Sequence, residues 1–171
     1  MDIEAELRKT QPDYFVYRPK SLDGSTHDTG NEHFLVFDGP DGSLMAVWTQ
    51  STAEGRPDQR IVFSRSEDEG ETWADPMLVA GPKPPASGGM ASWGFPLVSR
   101  SGRIYVIYSK HIGVNDIFSH TTGLMAGKCS DDAGKSWSGE QVIPMRRSTW
   151  DHPDTSIPSN WSTILSLASG P

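Results

Sequence analysis

A pattern of eight residues occurs twice in this chain of 171 residues and restricts the folds that it can adopt. Residues 66–73 read Ser-Glu-Asp-Glu-Gly-Glu-Thr-Trp, and residues 130–137 read Ser-Asp-Asp-Ala-Gly-Lys-Ser-Trp. The central residues Asp68 and Asp132 are 64 positions apart. A repeat at this period indicates that two similar supersecondary units follow one another along the chain.

The segments around the two copies repeat as well. Each copy is preceded by three short β-branched and aromatic runs separated by turn residues, and it is followed by a fourth run. This pattern is typical of strands joined by hairpin turns. The runs are residues 34–37, 44–48, 60–63 and 77–79, and then 96–98, 104–108, 124–127 and 141–143. We therefore predict an all-β fold, a partial β-propeller of about two four-stranded antiparallel blades.

The predicted organisation has four parts. Residues 1–30 form an N-terminal segment, in which Ile3 and Leu7 have the spacing of one short helix over residues 2–9. Residues 31–88 form the first blade and residues 89–146 the second. Residues 147–171 either begin a third blade, with residues 161–167 as its inner strand, or form a tail.

The repeated octapeptide is expected to close the turn between the third and fourth strands of each blade. Its Asp accepts hydrogen bonds within the turn, its Gly supplies a positive φ, and its Trp starts the fourth strand and packs between blades. One such motif per blade suits a scaffold better than chemistry. The predicted structural residues are Ser66, Asp68, Gly70, Thr72, Trp73, Ser130, Asp132, Gly134, Ser136 and Trp137.

Composition excludes several classes of function. A net charge of −7 argues against a nucleic-acid partner, and no run approaches the ~18 apolar residues of a membrane span. The acidic start Met1-Asp2-Ile3-Glu4 lacks an export signal, so a cytoplasmic location is the default expectation, although full-length relatives could be exported. The single cysteine, Cys129, excludes an internal disulfide and thiolate metal clusters. No cofactor or metal is expected.

Strand direction locates a candidate site. The start of the first strand and the loop between the second and third strands share one end of each blade, and long loops on a rigid scaffold are common binding sites. The candidate catalytic residues at this end are Glu32, His33 and Asp58. The candidate substrate-binding residues are Asn31, Gln50, Arg56, Arg60, Trp93, Lys110, His111, Asn160 and Trp161, with Glu54, Ser92, Asp116, Asp151 and His152 on the same end. This polar and aromatic mixture suits a sugar.

Each candidate also has a structural interpretation. Trp93, beside Gly94 and Pro96, would pack near the axis, and Asp58 after Pro57 would shape a turn. His33 would be a hydrogen-bonded polar group of the inner strand. Surface pairs between arginines and acids of residues 54–60 would contribute little stability.

The octapeptide resembles the Asp-box, or BNR repeat, of the sialidase superfamily. The segments Gly30-Asn31-Glu32-His33-Phe34-Leu35-Val36-Phe37, Trp48-Thr49-Gln50-Ser51 and Ala91-Ser92-Trp93-Gly94-Phe95-Pro96 are similar to those of bacterial sialidase-like proteins. The resemblance covers about residues 25 to 161. It implies a propeller that acts on glycosides, an exo-α-sialidase type of hydrolase. The alternative is a non-catalytic carbohydrate-binding or interaction propeller.

The chain departs from the sialidase pattern in its expected catalytic residues. The family places an Arg-Ile-Pro motif at the first inner strand, where this chain has Glu32-His33-Phe34. Its Glu-x-Arg corresponds to Thr49-Gln50-Ser51, and Asp58 matches the family's acid/base aspartate by position only. The family's remaining arginines, its glutamate and its tyrosine nucleophile belong to later blades.

Chain length leaves three interpretations of the assembly. A closed ring of six such units would need about 380 residues. The chain would therefore be part of a longer protein, or three copies would close a ring, or residues 147–171 would cap the open side. Open blade edges, where they remain, would favour self-association.

Overall fold

The computed structural model describes residues 11–83, 89–111 and 123–144, which contain eight β-strands. They form two four-stranded sheets in the orders β1-β2-β3-β4 and β5-β6-β7-β8, and every pairing is antiparallel. The strands are β1 (Gly30–Asp38), β2 (Leu44–Ser51), β3 (Arg60–Ser66), β4 (Met77–Ala80), β5 (Ala91–Val98), β6 (Ile104–His111), β7 (Gly123–Ser130) and β8 (Gln141–Ile143). The predicted all-β, partial-propeller architecture is confirmed.

Equivalent tight turns join the first two strands of each sheet. Gly42 and Gly102 have φ values of 84° and 82°, a conformation that costs glycine little because it has no Cβ. Asp41 accepts hydrogen bonds from the backbone and hydroxyl of Ser43, whereas Ser99 bonds the backbone of Arg103. The two turns therefore use different side chains to produce one backbone path.

One side of the first sheet packs on the second sheet. Met45, Val47, Ile61 and Phe63 alternate along β2 and β3, as the pleat of a strand requires, and they are at most 1% exposed. Across from them, β6 contributes Ile104, Val106 and Tyr108, which are fully buried. This shared apolar layer holds the two sheets face to face.

The N-terminal segment covers the opposite side of the first sheet. Ala46, Trp48 and Val62 are buried there against Val16 and Tyr17. The corresponding side of the second sheet is the one that contacts the first. Residues 16–17 therefore occupy the place that a preceding blade would take.

The two copies of the octapeptide form superimposable hydrogen-bond patterns between the third and fourth strands. Asp68 accepts from the backbone N–H and the hydroxyl of Thr72 at 2.9 and 2.5 Å, and Asp132 accepts from Ser136 at 2.8 and 2.5 Å. The hydroxyls of Ser66 and Ser130 accept from the glycine N–H four residues on, each at 2.8 Å.

Both octapeptide tryptophans lie before the fourth strand rather than at its start. Trp73 precedes Met77, the first residue of β4, by four positions, and Trp137 precedes β8 similarly. Trp73 packs on the side of the first sheet that the N-terminal segment covers. Trp137 contacts Phe63 edge to face, with ring centroids 5.3 Å apart, and so links the two sheets.

The octapeptide makes stability depend on pH. Hydrogen bonds from Ser136, in its side chain and backbone, and from Ser130 lower the pKa of Asp132 to about 2. Because the folded pKa is depressed, this stabilisation is present above pH ~4 and is lost as the pH falls towards 2. We expect Asp132→Asn to lower the thermal midpoint at pH 7 and to flatten its fall between pH 4 and 2. Thermal melts by circular dichroism at several pH values measure this.

The neighbouring carboxylate provides the control. Asp131 forms an exposed ion pair with Arg103, at 2.6 Å, and such pairs contribute little. Asp131→Asn should therefore leave the melting profile nearly unchanged. Equal profiles for the two variants would show that the turn does not depend on Asp132.

Two predictions fall on residues outside the described ranges: the helix over residues 2–9 and the structure of residues 147–171. The four-part division of the chain remains a prediction. Among the residues that the structure describes, no helix has the length and apolar character needed to cross a bilayer.

Candidate functional site

Matching β-bulges interrupt the first strand of both sheets at the predicted end. The register shifts between Glu32 and Leu35 in β1, and between Ser92 and Phe95 in β5. Within these bulges His33 and Trp93 adopt φ values of 52° and 55°. Residues other than glycine rarely adopt this left-handed backbone conformation. Backbone strain of this kind concentrates at functional sites.

The two bulged side chains meet. The Trp93 indole N–H donates to His33 Nε2 at 2.8 Å, and the rings are nearly perpendicular with centroids 5.7 Å apart. Because indole nitrogen is only a donor, Nε2 is the acceptor and the hydrogen of the neutral imidazole is on Nδ1. Burial lowers the pKa of His33, which favours this neutral form. His33 is thus a fixed hydrogen-bond donor, with its Nε2 lone pair already used.

Glu32 lies next to this pair. Its Oε2 is 4.0 Å from His33 Nδ1 and is buried without a hydrogen-bond partner among the described residues. Burial, followed by the negative charge of Glu54, raises the pKa of Glu32. A carboxyl group with a raised pKa keeps its proton to a higher pH than an ordinary glutamate, which suits the role of a general acid or base.

Two predicted residues of the second sheet, Ser92 and His111, and two residues that were not predicted, Thr49 and Gln59, lie close to this group. Thr49, the cross-strand partner of Glu32, accepts from the backbone N–H of Trp93 at 3.0 Å. The Ser92 hydroxyl joins His111 Nε2 at 3.2 Å to Gln59 at 3.3 Å. The ring centroids of Trp93 and His111 are 6.2 Å apart. These contacts form one cluster, here called the inter-sheet cluster, which consists of Glu32, His33, Thr49, Gln59, Ser92, Trp93 and His111.

Other predicted binding residues lie on the opposite side. Asn31 Oδ1 accepts from the Trp48 indole at 2.8 Å and from Gln50 at 3.2 Å. Arg60 donates to Gln50 Oε1 at 2.7 Å. Because successive residues of a strand point to opposite faces, Asn31 and Gln50 face away from Glu32 and Thr49. The predicted single site is therefore divided between two sides of the first sheet.

Two more residues lie on this opposite side of the first sheet, here called the flank, and were not among the predicted site residues. Asp28 accepts hydrogen bonds from the Tyr17 hydroxyl and from the backbone N–H of Lys20. Desolvation and the bond to Asp28 raise the pKa of Tyr17. The paired apolar residues Val16 and Tyr17 within a polar segment were the available sequence signal. The flank cluster is defined as Tyr17, Asp28, Asn31, Gln50 and Arg60.

The remaining candidates have separate environments. Asp58 accepts from the Thr52 backbone and hydroxyl at 2.9 and 2.6 Å and contacts His27 at 3.0 Å, so these contacts order the β2–β3 loop. The Lys110 ammonium bonds Glu140, which also accepts from Tyr108 at 2.7 Å. Arg56 is exposed. Asp116, Asp151, His152, Asn160 and Trp161 lie outside the described residues.

Two similar solved structures with TM-scores above 0.5 share the fold, and a third has a lower score. A protein of unknown function from Dyadobacter fermentans has a TM-score of 0.53 and 20% identity over 67% of this chain and 36% of its own. A family 117 glycoside hydrolase of the marine bacterium Zobellia galactanivorans has a TM-score of 0.52 and 17% identity over 80% and 45%. The sialidase of Trypanosoma rangeli has a TM-score of 0.49 and 14% identity over 67% and 20%. This chain thus spans less than half the length of each.

Comparison with curated protein sequences gives no match. The BNR repeat-like domain family matches residues 42–164, which include both octapeptides and most of the two sheets. Since that match extends over well above half of the sequence, the chain belongs to the BNR repeat-like domain family.

Proposed function

We propose that this chain forms part of a glycan-active protein, a glycoside hydrolase of the sialidase-like type that its repeats resemble. Glu32 would be its general acid or base. The observation that carries the proposal is a carboxyl group of raised pKa beside two side chains held in strained bulges. The family match and the shared fold of the family 117 glycoside hydrolase support the choice of a glycan.

The inter-sheet cluster offers the contacts that a sugar ring requires. Trp93 is half-buried and His33 is 42% exposed along its side chain, so aromatic surface is accessible beside the carboxyl group of Glu32. Aromatic faces pack on the apolar C–H surface of a sugar, while a few polar groups orient its hydroxyls. His33 Nδ1–H and Glu32 provide such a donor and acceptor. Asp58, the other predicted catalytic carboxylate, bonds Thr52 and His27 in the β2–β3 loop rather than joining this cluster.

We expect Glu32→Gln to reduce glycoside hydrolysis by about 10²-fold or more, because the amide cannot transfer a proton. The assay uses 4-methylumbelliferyl glycosides of sialic acid, galactose and glucuronic acid with the full chain. Glu54→Gln is the matched control, since Glu54 is exposed and acts on Glu32 only through its charge. It should retain activity but shift the limb of the pH profile governed by Glu32 to lower pH.

The alternative function is carbohydrate binding without catalysis. The contacts of Asp58 favour it, because they are made to Thr52 and His27 rather than to the inter-sheet cluster. Saccharide binding with no turnover, unaffected by Glu32→Gln, would support this alternative. A chain that neither binds nor hydrolyses any of the glycosides would contradict both proposals.

A further inference from the structure

A cleft of about 720 Å³ lies between the N-terminal segment and the first sheet, away from the inter-sheet cluster. It includes most of the flank cluster, and it contains three cationic side chains and two carboxylates in a chain of net charge −7. The charged residues that line it are Arg18, Lys20, Asp28, Arg60 and Asp75.

Arg60 lines this cleft and, among the described residues, retains one unsatisfied hydrogen-bond donor. The residue is only 8% exposed, and its Nη2 donates to Gln50. Its Nη1 is buried and has no acceptor in the described part of the chain. A buried donor of this kind costs free energy unless something accepts from it, so the cleft favours an occupant with an acceptor oxygen.

Asp28 lines the same cleft and, within the part of the chain that the structure describes, retains one unsatisfied hydrogen-bond acceptor. It is 6% exposed, and its Oδ2 receives the Tyr17 hydroxyl and the Lys20 N–H. Its other oxygen, Oδ1, is buried with no donor within residues 11–83, 89–111 and 123–144. Burial opposes the ionisation of Asp28, but hydrogen bonds to the carboxylate outweigh it and lower the pKa, so the carboxylate is charged at neutral pH.

The two unpartnered atoms, Arg60 Nη1 and Asp28 Oδ1, determine which class of ligand fits the cleft. A carboxylate ligand would accept from Arg60 but would place a second negative charge against Asp28. A hydroxyl group both donates and accepts, so it satisfies either atom without repulsion. We propose that this cleft is a second saccharide subsite, in which neighbouring hydroxyls of a neutral sugar bind Arg60 Nη1 and Asp28 Oδ1. This proposal depends on the proposed function in one respect only, the choice of a saccharide as the ligand.

The indole groups of two tryptophans can distinguish binding in the cleft from binding at the inter-sheet cluster. Trp48 donates to Asn31 at the flank, and Trp93 donates to His33 in the inter-sheet cluster. Their N–H signals in a ¹H–¹⁵N spectrum, assigned with Trp48→Phe and Trp93→Phe, therefore distinguish the subsite from the site around Glu32. The probes are the methyl glycosides of galactose, mannose, glucose and fucose, with N-acetylneuraminic acid as the anionic comparison.

We expect at least one neutral glycoside to shift the Trp48 signal with saturation, and N-acetylneuraminic acid to bind there more weakly. Arg60→Lys should weaken the neutral glycoside about tenfold, because the ammonium cannot replace Nη1, whereas Arg56→Lys on the exposed loop should not. Monodeoxy forms of the bound glycoside test the same contacts with the chain unchanged, and removal of either contacting hydroxyl should also weaken binding about tenfold.

Two results would overturn the subsite. One is no shift of the Trp48 signal by any neutral glycoside up to about 50 mM, a concentration that saturates a millimolar site. The other is a shift that neither Arg60→Lys nor any monodeoxy glycoside weakens. A saturable shift confined to Trp93 would retain the proposed function and reject the subsite, whereas a shift confined to Trp48 with no effect of Glu32→Gln would do the reverse.

Discussion

Replacing Gly134 with alanine should lower the free energy of unfolding by about 3 kcal/mol, an unusually large loss for one methyl group. Gly134 has a φ of 82°, and a Cβ at this position would lie 2.3 Å from Cζ of Phe63. Phe63 is 1% exposed and packs edge to face on Trp137, so its ring has little room to move. Urea denaturation followed by near-ultraviolet circular dichroism measures the loss.

Gly70 provides a matched control within the same chain. It occupies the same position in the first octapeptide with a φ of 96°, but its nearest neighbour to an added Cβ is Leu44 Cδ1 at 3.5 Å, an ordinary contact. Gly70→Ala should therefore cost only the left-handed backbone penalty of about 1–2 kcal/mol. The difference between the variants isolates the contact between the sheets. Equal losses would contradict the packing of the second octapeptide on Phe63.

The repeat made the fold predictable because each strand and turn of one unit has a counterpart in the other. The continuous apolar run over residues 44–48 and the glycine turns at Gly42 and Gly102 are local signals, and the structure uses them as a strand and as hairpin turns. The Trp position was less well predicted. Trp73 lies four positions before β4, because Ala74 first bonds back to the backbone and side chain of β3.

Strand direction could not predict that the candidate site residues are divided between the two sides of the first sheet. Direction placed Asn31, Glu32, Gln50 and Arg60 at one end of the first blade, and they are there. The pleat then sends Asn31 and Gln50 to one side and Glu32 to the other. The bulge that aims His33 at Trp93 requires a left-handed histidine, a conformation that only a few per cent of non-glycine residues adopt, so local sequence does not predict it.

Contacts of the N-terminal segment were also beyond local inference. Tyr17 and Asp28 contact each other and the first sheet through bonds between residues far apart in sequence. A polar, turn-rich composition over residues 10–30 is typical of a loop, and residues 11–29 are indeed irregular. Its docking depends on Trp48, a residue of β2 whose large ring needs a cover.

Trp48 should accordingly be among the most sensitive positions of the chain. It is fully buried, stacks on Phe34 with centroids 4.6 Å apart, contacts Tyr17 at 5.7 Å and donates to Asn31. Trp48→Ala should cost about 3–5 kcal/mol, since it removes this contact surface and leaves a cavity. Urea denaturation measures the loss, and trypsin cleavage after Lys20 should accelerate as the N-terminal segment is released.

Trp48→Phe separates the two contributions of the indole. It keeps an aromatic ring against Phe34 and Tyr17 but removes the N–H bond to Asn31, whose Oδ1 still accepts from Gln50. The loss should therefore fall to about 1–2 kcal/mol, with little change in cleavage after Lys20. If Trp48→Ala were as mild as Trp48→Phe and left cleavage unchanged, the N-terminal segment would not be held by this ring. The N-terminal segment contributes Asp28 to the cleft between that segment and the first sheet. The cleft would then lose its structural basis as well.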